Sequence, residues 1–489
     1  MKLRPAAAAV AGVVALVGAG MAPAGSATVP MLPSATPLRS GNPAQFANPP
    51  FSDASHDSAD PWGVGWDPTK AAPDQQPPLQ GRVDVLRRVG DWVYIGGVFH
   101  RALRPDGVYD EGVRHLVRAR WDTGQLDPDW TPALVGDGAY GSGTVTDIST
   151  FDPGDGVTRL VVGGDFSRID GNTTNAGYLA AFQLADPAPP TLDTGILSTA
   201  DVGLNGPVHA VAADLEGTDH VLYIGGFFTS VATPAGARAR AHLAKLRLVN
   251  GRFVLDSQWT PSLDSTDTTD VAHAWVSGLA PVPGFDRVIV GGFWTSIDHR
   301  GPTQEKYLAA VDRTGGAVQP WADPISTSAT IQWSTTKRSS KFPLFDLVLV
   351  DEGGVPMLYT AHGGTNLAAK WDPATGARLW YWWSDGGVQA VTTLNGDAYF
   401  GFHGHHVSPV AGGLKKDHLT VTREGLWAVT PDGGSLLPYA PSFKAPVHST
   451  TEGARKIWAL LGAGNLYVGG DFTTVAGSPL AKFAVFPMS

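Results

Sequence analysis

The chain has 489 residues, no cysteine, 16% charged residues and a net charge of −10 at neutral pH. This composition excludes disulfides, thiol catalysis and cysteine-held zinc, and the acidic balance disfavours binding to nucleic acid or to an anionic membrane surface. The 60 glycines and 38 prolines indicate many short strands joined by turns rather than long helices.

The first 27 residues have the features of a secretory signal peptide. Lys2 and Arg4 precede an apolar run over residues 6–17, and small residues follow as far as Ala27. The run is shorter than a membrane-spanning helix requires, and no other stretch approaches that length, so we predict no membrane insertion. We expect an exported protein that is either secreted or associated with the cell wall.

Residues 28–60 are rich in Pro, Ser, Ala and Asn, which is typical of an extended or disordered leader. Beyond them, residues 61–489 are predicted to form a single repeat domain. Trp66-Asp67-Pro68 has the pattern of the last strand of a repeat, although no complete repeat precedes it. We therefore predict that residues 60–70 complete the last unit, so that an N-terminal strand closes a ring.

One phrase recurs along that domain: a β-branched or aromatic pair, two glycines, one variable residue and an aromatic residue. Two degenerate copies replace the glycine pair with Ala361-His362 and Gly401-Phe402. Gly-Gly inside a strand marks a bulge or a close backbone approach. The five regular copies contain Gly96-Gly97, Gly163-Gly164, Gly225-Gly226, Gly291-Gly292 and Gly469-Gly470.

Each copy has the same surroundings, which predict four strands per unit. An apolar strand precedes the phrase, a second apolar phrase and a Gly-containing turn follow it, and a Trp near a Pro ends the unit, as in Trp259-Thr260-Pro261. Seven such units predict an all-β fold, a seven-bladed β-propeller of four-stranded blades. No helical pattern alternates with the strands, which excludes a TIM barrel, and a β-helix needs a shorter period.

The repeated phrases resemble the delta-60 repeat β-propellers, a family of exported bacterial proteins. The resemblance covers residues 60–489, and it implies a Kelch-like or quinoprotein-like fold without a defined activity. Copies five and six depart from the family pattern. The stretch from Asp372 to Trp380 is also similar to the tryptophan-docking motif of quinoprotein dehydrogenases. That resemblance implies a structural turn with a packing tryptophan that ties blades together, not a cofactor site.

Two groups of side chains are weak candidates for ligand binding, each with a structural alternative. His362, His403, His405 and His406 follow the fifth and sixth core strands, and they could meet on one face. No carboxylate pattern completes a metal shell, so loop histidines are the simpler interpretation. Trp380, Trp382 and Trp383 crowd one strand; alternation leaves at least one candidate platform for a sugar, whereas blade packing explains the other tryptophans.

Asp165 and Asp471 fill the variable position of two repeated phrases. They suggest acid–base work or calcium binding, but equivalent positions in different blades favour a structural hydrogen-bonding role. No nucleophile elbow, zinc-protease motif or phosphate loop is present. We therefore predict no catalytic residue, no metal and no cofactor.

Two functions remain open. The first is a monomeric, non-enzymatic binding or scaffold propeller that recognises a protein or glycan at the cell surface, because loops on a rigid scaffold commonly carry recognition. The alternative is a propeller enzyme, either a quinoprotein-like oxidoreductase or a glycan-active enzyme, which needs polar side chains from several blades to converge.

Overall fold

Strand-forming residues interrupted by turn glycines produce an all-β molecule with no helix in the part of the chain that is described. The structure is a computed structural model. It describes residues 82–487 except 100–101, 104–108, 111–113, 123–125, 137–142, 170–173, 176, 187, 265–273, 295, 299–306, 321–343, 364–365, 413–419, 439–440, 445–455, 473 and 477–481. The predicted signal peptide, leader and closing strand lie outside the described residues.

The described strands of the first half are β1 Arg82–Val89, β2 Trp92–Val98, β3 Ala102–Leu103, β4 Tyr109–Asp110, β5 Leu116–Arg120, β6 Val145–Phe151, β7 Arg159–Gly164, β8 Arg168–Ile169, β9 Thr174–Asn175, β10 Leu179–Ala185, β11 Ala188–Leu192, β12 Gly203–Leu204, β13 Val208–Glu216, β14 Asp219–Gly226, β15 Ser230–Thr233, β16 Gly236–Ala239, β17 Leu243–Val249, β18 Arg252–Leu255 and β19 Leu263–Asp264.

Those of the second half are β20 Trp275–Pro281, β21 Val288–Phe293, β22 Ser296–Ile297, β23 Leu308–Val311, β24 Val318–Gln319, β25 Leu344–Asp351, β26 Pro356–His362, β27 Leu367–Trp371, β28 Arg378–Trp383, β29 Val388–Leu394, β30 Asp397–Phe402, β31 His406–Val407, β32 Val421–Thr422, β33 Leu426–Val429, β34 Phe443–Lys444, β35 Ile457–Ala463, β36 Asn465–Gly470, β37 Thr474–Val475 and β38 Phe483–Pro487.

Seven antiparallel sheets carry the repeated phrase on their second strand. Four of them have four strands, as the sequence predicts, and three are described with three strands. Short two- and three-stranded ribbons lie at the ends of these sheets. In chain order the seven are sheet 1 (β1, β2, β5), sheet 2 (β6, β7, β10, β11), sheet 3 (β13, β14, β17, β18), sheet 4 (β20, β21, β23, β24), sheet 5 (β25–β28), sheet 6 (β29, β30, β33) and sheet 7 (β35, β36, β38).

The first glycine of the repeated phrase allows neighbouring sheets to approach closely. A Cβ on Gly225 would lie 2.5 Å from Cγ1 of Val276 in the next sheet, and one on Gly469 would lie 2.4 Å from Cγ1 of Val83. Carbon atoms in contact are normally about 3.5–4.0 Å apart, so no side chain fits there. The close approach predicted from the glycine pairs is confirmed.

The second glycine faces a β-bulge in the first strand of its own sheet. A Cβ on Gly226 would lie 2.1 Å from the carbonyl oxygen of Pro207, next to the point where the register between β13 and β14 shifts. The same shift occurs in sheets 5 and 6, where His362 and Phe402 occupy the register position of the second glycine. The alignment assumed for the two degenerate copies is therefore confirmed.

Seven of the hydrophobic clusters formed by the described residues lie between neighbouring sheets, one for each pair. Each of these clusters joins one face of a sheet to the facing side of the next. The seventh joins sheet 7 to sheet 1, with Tyr467 and Phe483 packed against Val83 and Ile95. The first strands also contact one another in cyclic order, β35 next to β1 included. Sheets arranged radially around a central axis are blades of a β-propeller.

The residue before each third strand has left-handed backbone geometry. His115, His242 and Tyr307, for example, have φ of 66°, 71° and 73°, and sheet 6 has a glycine, Gly425, at the equivalent point. Their carbonyl oxygens accept hydrogen bonds from the repeated phrase, as His242 does from the Gly226 amide at 3.0 Å. Seven repeats therefore share one turn geometry although six of them use a non-glycine residue.

No helix in the described part of the chain is long and apolar enough to cross a bilayer.

Candidate ligand site in the central cavity

The seven bulges place seven side chains around the central axis. Each bulge inserts one residue between two ladder pairs of the first strand, and a bulge re-aims the side chain that it inserts. All seven inserted residues line one central cavity. We call them the bulge ring: Asp84, Thr146, His209, Ser277, Phe345, Gln389 and Trp458.

The cavity has a volume of about 690 Å³ and is lined by the first strands of the seven sheets together with Phe293 at the end of β21. Cavities of roughly 300–1,000 Å³ with aromatic walls and a few convergent polar groups are the usual form of a small-molecule site. The cavity is therefore the candidate site. The sequence motifs did not point to it.

One side of the cavity is aromatic. The rings of Trp275, Phe293 and Phe345 belong to a single hydrophobic cluster. His209 lies edge-on to Trp275, with ring centroids 6.3 Å apart, and Phe345 lies edge-on to Trp458 at 6.1 Å. These five rings line the cavity, and they form what we call the aromatic wall. Such a wall offers faces to the apolar side of a sugar or to a cation.

Charged side chains line the same cavity. Arg82 donates from Nε and Nη2 to the carboxylate of Asp84, the second bond at 2.9 Å, and its guanidinium lies 4.3 Å from the centroid of the Trp458 ring. Burial lowers the pKa of Arg82. The charges of Asp84, Asp471 and Asp165, together with the hydrogen bond to Asp84, raise it by more, so the net shift is upward. The two aspartates of the repeated phrases therefore flank one arginine.

Asp165 also has the structural role expected from its position. Its Oδ1 accepts a hydrogen bond from the Gly143 amide at 3.1 Å. Burial raises the pKa of this carboxyl to about 7, although backbone hydrogen bonds oppose that rise. Asp471 is buried, with 6% of its surface exposed, and its charge acts on Arg82.

Two further carboxylates line the cavity, one residue beyond the bulge. Oδ2 of Asp147 accepts a hydrogen bond from the Val211 amide at 2.7 Å, and Oδ2 of Asp346 accepts one from the Val391 amide at 2.9 Å. Each carboxylate thus caps the open edge of the next sheet. Burial raises the pKa of Asp147 to about 6 and that of Asp346 to about 7, and the charge of Asp147 contributes to the rise for Asp346.

Gln389 and His209 are two polar members of the bulge ring that line the cavity. Gln389 is 2% exposed, and its Oε1 has no hydrogen-bond partner among the described residues. His209 is 8% exposed and makes ring contacts only, and burial lowers the pKa of its imidazole to about 4. Buried polar groups normally have partners, so these two are groups that a ligand can satisfy.

The tryptophan cluster singled out from the sequence lies elsewhere and is buried. Trp380, Trp382 and Trp383 are 8%, 0% and 5% exposed. Nε1 of Trp382 donates to the Gly433 carbonyl at 2.9 Å, and a Cβ on Gly433 would collide with the Trp380 ring. The two indoles therefore fasten sheet 5 to sheet 6, as the docking motif implies. Burial leaves no indole of this cluster as an open platform, so its ligand role stays a prediction without structural support.

The four histidines do not form one group. His362 is fully buried, its Nε2 lies 2.9 Å from Oγ1 of Thr360, and burial lowers its pKa to about 3. His403 accepts a hydrogen bond from the Gly387 amide at 3.3 Å, whereas His406 pairs with Asp385 at 2.9 Å. The rings of His405 and His406 are 6.5 Å apart at their centroids. Among the residues described, no set of three His, Asp or Glu side chains is placed to hold a metal ion.

The bulge ring was missed because each of its members stands in a different motif context. An internal alignment of the first strands would have found it, since every member follows Val, Leu or Ile directly before the bulge: Val83, Val145, Val208, Val276, Leu344, Val388 and Ile457.

Comparison with known proteins gives structural neighbours only. No family model and no curated protein matches the chain. The designed protein Ika8 is 12% identical over 83% of this chain and 96% of its own, with a TM-score of 0.37. Raptor from Chaetomium thermophilum is 10% identical over 83% and 28%, with a TM-score of 0.43. The Cps50 (Swd1) β-propeller domain from Myceliophteria thermophila is 11% identical over 84% and 100%, with a TM-score of 0.40. Likeness this low carries no argument about function.

Proposed function

We propose that the domain is a seven-bladed β-propeller of the delta-60 repeat type, exported after removal of residues 1–27. Seven sheets with seven clusters between them support this blade count. Sheet 7 is described with three strands, which leaves room for the strand that residues 60–70 are proposed to supply. The repeated phrases and the N-terminal sequence remain the basis for the family and for export.

We further propose that the protein is a non-enzymatic binding propeller that recognises a glycan, with the chain end of the glycan in the central cavity. The observation that carries this proposal is the bulge ring: seven equivalent positions hold seven different residues, and all of them face one cavity. Aromatic rings in the same cavity as carboxylates and an amide suit a sugar, which has apolar C–H faces and many hydroxyls. A cavity of about 690 Å³ suits a chain end better than a protein surface.

The test is a glycan array probed with the mature chain, residues 28–489, followed by calorimetric titration of the best glycan. Phe345→Ala removes one ring of the aromatic wall and should weaken binding by about tenfold or more, since aromatic contacts contribute about 1 kcal/mol beyond their buried area. Binding that is absent from the array, or unchanged in Phe345→Ala, would contradict the proposal.

Leu379→Ala is the matched control for that experiment. Leu379 lies in the same sheet, on the outermost strand β28, and 49% of its surface is exposed. The variant removes a similar apolar side chain far along the sheet from the cavity. It should bind the glycan as the unmodified protein does, and circular dichroism should show both variants folded.

A second candidate is a glycan-cleaving enzyme, favoured by one observation. Asp147 and Asp346 both line the cavity, and glycoside hydrolysis uses two carboxyl groups, of which the general acid has a raised pKa, as Asp346 has. Incubating the array-selected glycan with the protein and measuring new reducing ends distinguishes the two. Turnover that is lost in Asp147→Asn and in Asp346→Asn would favour the enzyme, and an intact glycan would favour the binding protein.

A further inference from the structure

The cavity combines features that neutral sugars do not need. Among the described residues, Asp147 and Asp346 line it without a salt bridge to an arginine or lysine, although the charge of Arg87 acts on Asp147, whereas Asp84 is paired with Arg82. A buried carboxylate is costly unless a cation or several hydrogen bonds compensate it. Each of these two has backbone hydrogen bonds, and each carboxylate retains acceptor positions that those bonds do not use.

The same cavity contains an unsatisfied acceptor on the strand that Asp346 contacts. Oδ2 of Asp346 reaches the amide of Val391, two residues beyond Gln389 on the same strand. Gln389 is 98% buried, lines the cavity, and its Oε1 lacks a partner within the described chain. That oxygen has almost no accessible surface, so a ligand reaches it after the Gln389 side chain rotates toward the cavity. An amide oxygen and a carboxylate both accept hydrogen bonds from an N–H₃⁺ group, which has three donors and no acceptor.

The aromatic wall completes the complementarity. Trp275, Phe293 and Phe345 line the same cavity, and the face of an aromatic ring attracts a cation. The charged groups that face this space are Asp147 and Asp346, the Arg82–Asp84 pair with Asp165 and Asp471 near it, and Arg87. His209, the histidine of the bulge ring, is held neutral by burial. Carboxylates therefore outnumber cations in the cavity.

From this geometry we propose that the cavity selects a glycan residue with a free, protonated amino group, held by Asp346, with Asp147, Gln389 and the aromatic wall lining the same cavity. The inference rests on the proposed glycan-binding function and adds the chemical class of the ligand. The ammonium replaces water on the carboxylates, and an N-acetylated residue of the same sugar has neither the charge nor the three donors.

The test compares two trisaccharides that differ only in this group: a β-1,4-linked trimer of glucosamine and its N-acetylated counterpart. Both are titrated calorimetrically into the mature chain, residues 28–489, at about pH 7, where the carboxyl of Asp346, with a pKa of about 7, can ionise beside a protonated amine. We expect the glucosamine trimer to bind at least about tenfold more tightly, because hydrogen bonds between charged groups are stronger than neutral ones. Asp346→Asn should remove most of that preference while the amide oxygen still accepts from Val391.

A charge control separates the field of the whole protein from the contact. Asp219→Asn removes one negative charge from an exposed pair with Arg247 in the turn region of sheet 3. It should leave the preference intact. If Asp219→Asn lowers the preference as much as Asp346→Asn does, the effect is a general charge effect and the inference is wrong.

The remaining outcomes separate this inference from the proposed function. Equal binding of both trimers, weakened equally by Phe345→Ala, would overturn the amine preference and leave glycan binding in place. Binding of neither trimer, with a neutral glycan selected on the array, would also overturn the inference alone. Binding of neither trimer together with an empty array would overturn both.

Discussion

The residues that pack between neighbouring sheets are nearly the same in all seven repeats, whereas the residues that face the central axis differ from repeat to repeat. The residue directly before each bulge is Val, Leu or Ile in all seven sheets, and it packs against the neighbouring sheet, as Val276 does against Gly225. One position later, the inserted residue is an acid, an amide, a hydroxyl, an imidazole or an aromatic ring. The residue before the bulge is repeated because packing between sheets restricts it, and the inserted residue varies because that packing does not fix its type. This difference within one chain distinguishes structural positions from candidate recognition positions without any alignment to relatives.

Substitutions in the close contacts between sheets should cause the largest loss of stability. Gly225→Ala places a Cβ 2.5 Å from Cγ1 of Val276, so the sheets must separate or strain. We expect a loss of about 2–3 kcal/mol in the free energy of unfolding, the upper part of the range for overpacking. Urea unfolding followed by tryptophan fluorescence measures it.

Gly315→Ala is the control for Gly225→Ala, because its Cβ would find no atom closer than 3.8 Å. It should change stability by less than about 0.5 kcal/mol, as surface substitutions usually do. Adding Val276→Ala to Gly225→Ala should recover part of the loss if the collision is its cause. Equal losses in Gly225→Ala and Gly315→Ala would show that the close approach of sheets 3 and 4 is not needed.

The carboxylates around the axis should make the stability of the protein depend on pH. Burial raises the pKa of Asp346 to about 7 in the folded protein, above its ordinary value of 3.8. The folded state then binds the proton more tightly than the unfolded state, so stability falls as the pH rises from about 4 to about 7, and the penalty is complete above that range.

Asp346→Asn should remove this penalty, because the amide is neutral at every pH and its oxygen can still accept from Val391. A full conversion is about 1.4 kcal/mol per pKa unit, and we expect roughly 1–2 kcal/mol because the cavity admits water. The measurement is urea unfolding at about pH 4 and pH 8, with Asp219→Asn as the exposed control. A variant that loses as much stability between these pH values as the unmodified protein would contradict the raised pKa.

Much of the fold could be predicted from the sequence because the glycine pairs report a local steric demand. Gly226 and Gly469 stand where no Cβ fits, and only glycine meets that demand, so the repeats stayed recognisable. The degenerate copies with His362 and Phe402 could still be aligned, because the strands around them keep their register.

The candidate site could not be predicted in the same way. A bulge moves a side chain from a sheet face to the axis, and no residue type marks it: Phe345 and Gln389 occupy equivalent positions. The left-handed residues before the third strands were equally hidden, since Tyr178 and Tyr307 are not residues that usually adopt positive φ. The tryptophans drew attention by number, whereas Trp382 is fully buried between sheets.

Two members of the bulge ring should behave as structural residues, which sharpens the comparison. Oγ of Ser277 donates to the carbonyl oxygen of Leu344 in the next sheet at 2.5 Å, and Oγ1 of Thr146 donates to that of Val208 at 2.8 Å. Ser277→Ala should therefore cost about 1 kcal/mol, the usual net value of one hydrogen bond. Unfolding in urea and glycan titration of the same preparation should give lower stability with unchanged affinity.

Gln389 should show the smallest effect on stability. Its Oε1 is buried without a partner within the described chain, so Gln389→Met, of similar volume, replaces an uncompensated polar group with an apolar one. We expect the free energy of unfolding to change by less than about 0.5 kcal/mol or to rise slightly. Affinity for the array-selected glycan should fall by about tenfold, because the ligand loses an acceptor at the cavity wall.

The pair of Ser277→Ala and Gln389→Met makes the distinction within a single ring of equivalent positions. A destabilised Ser277→Ala with full affinity, beside a stable Gln389→Met with weak affinity, is the pattern expected if the ring divides into structural and recognition members. If Gln389→Met instead unfolds more easily and binds normally, Gln389 belongs with Ser277. The variation around the axis would then reflect seven different local solutions to packing, and the site would have to be sought elsewhere on the propeller.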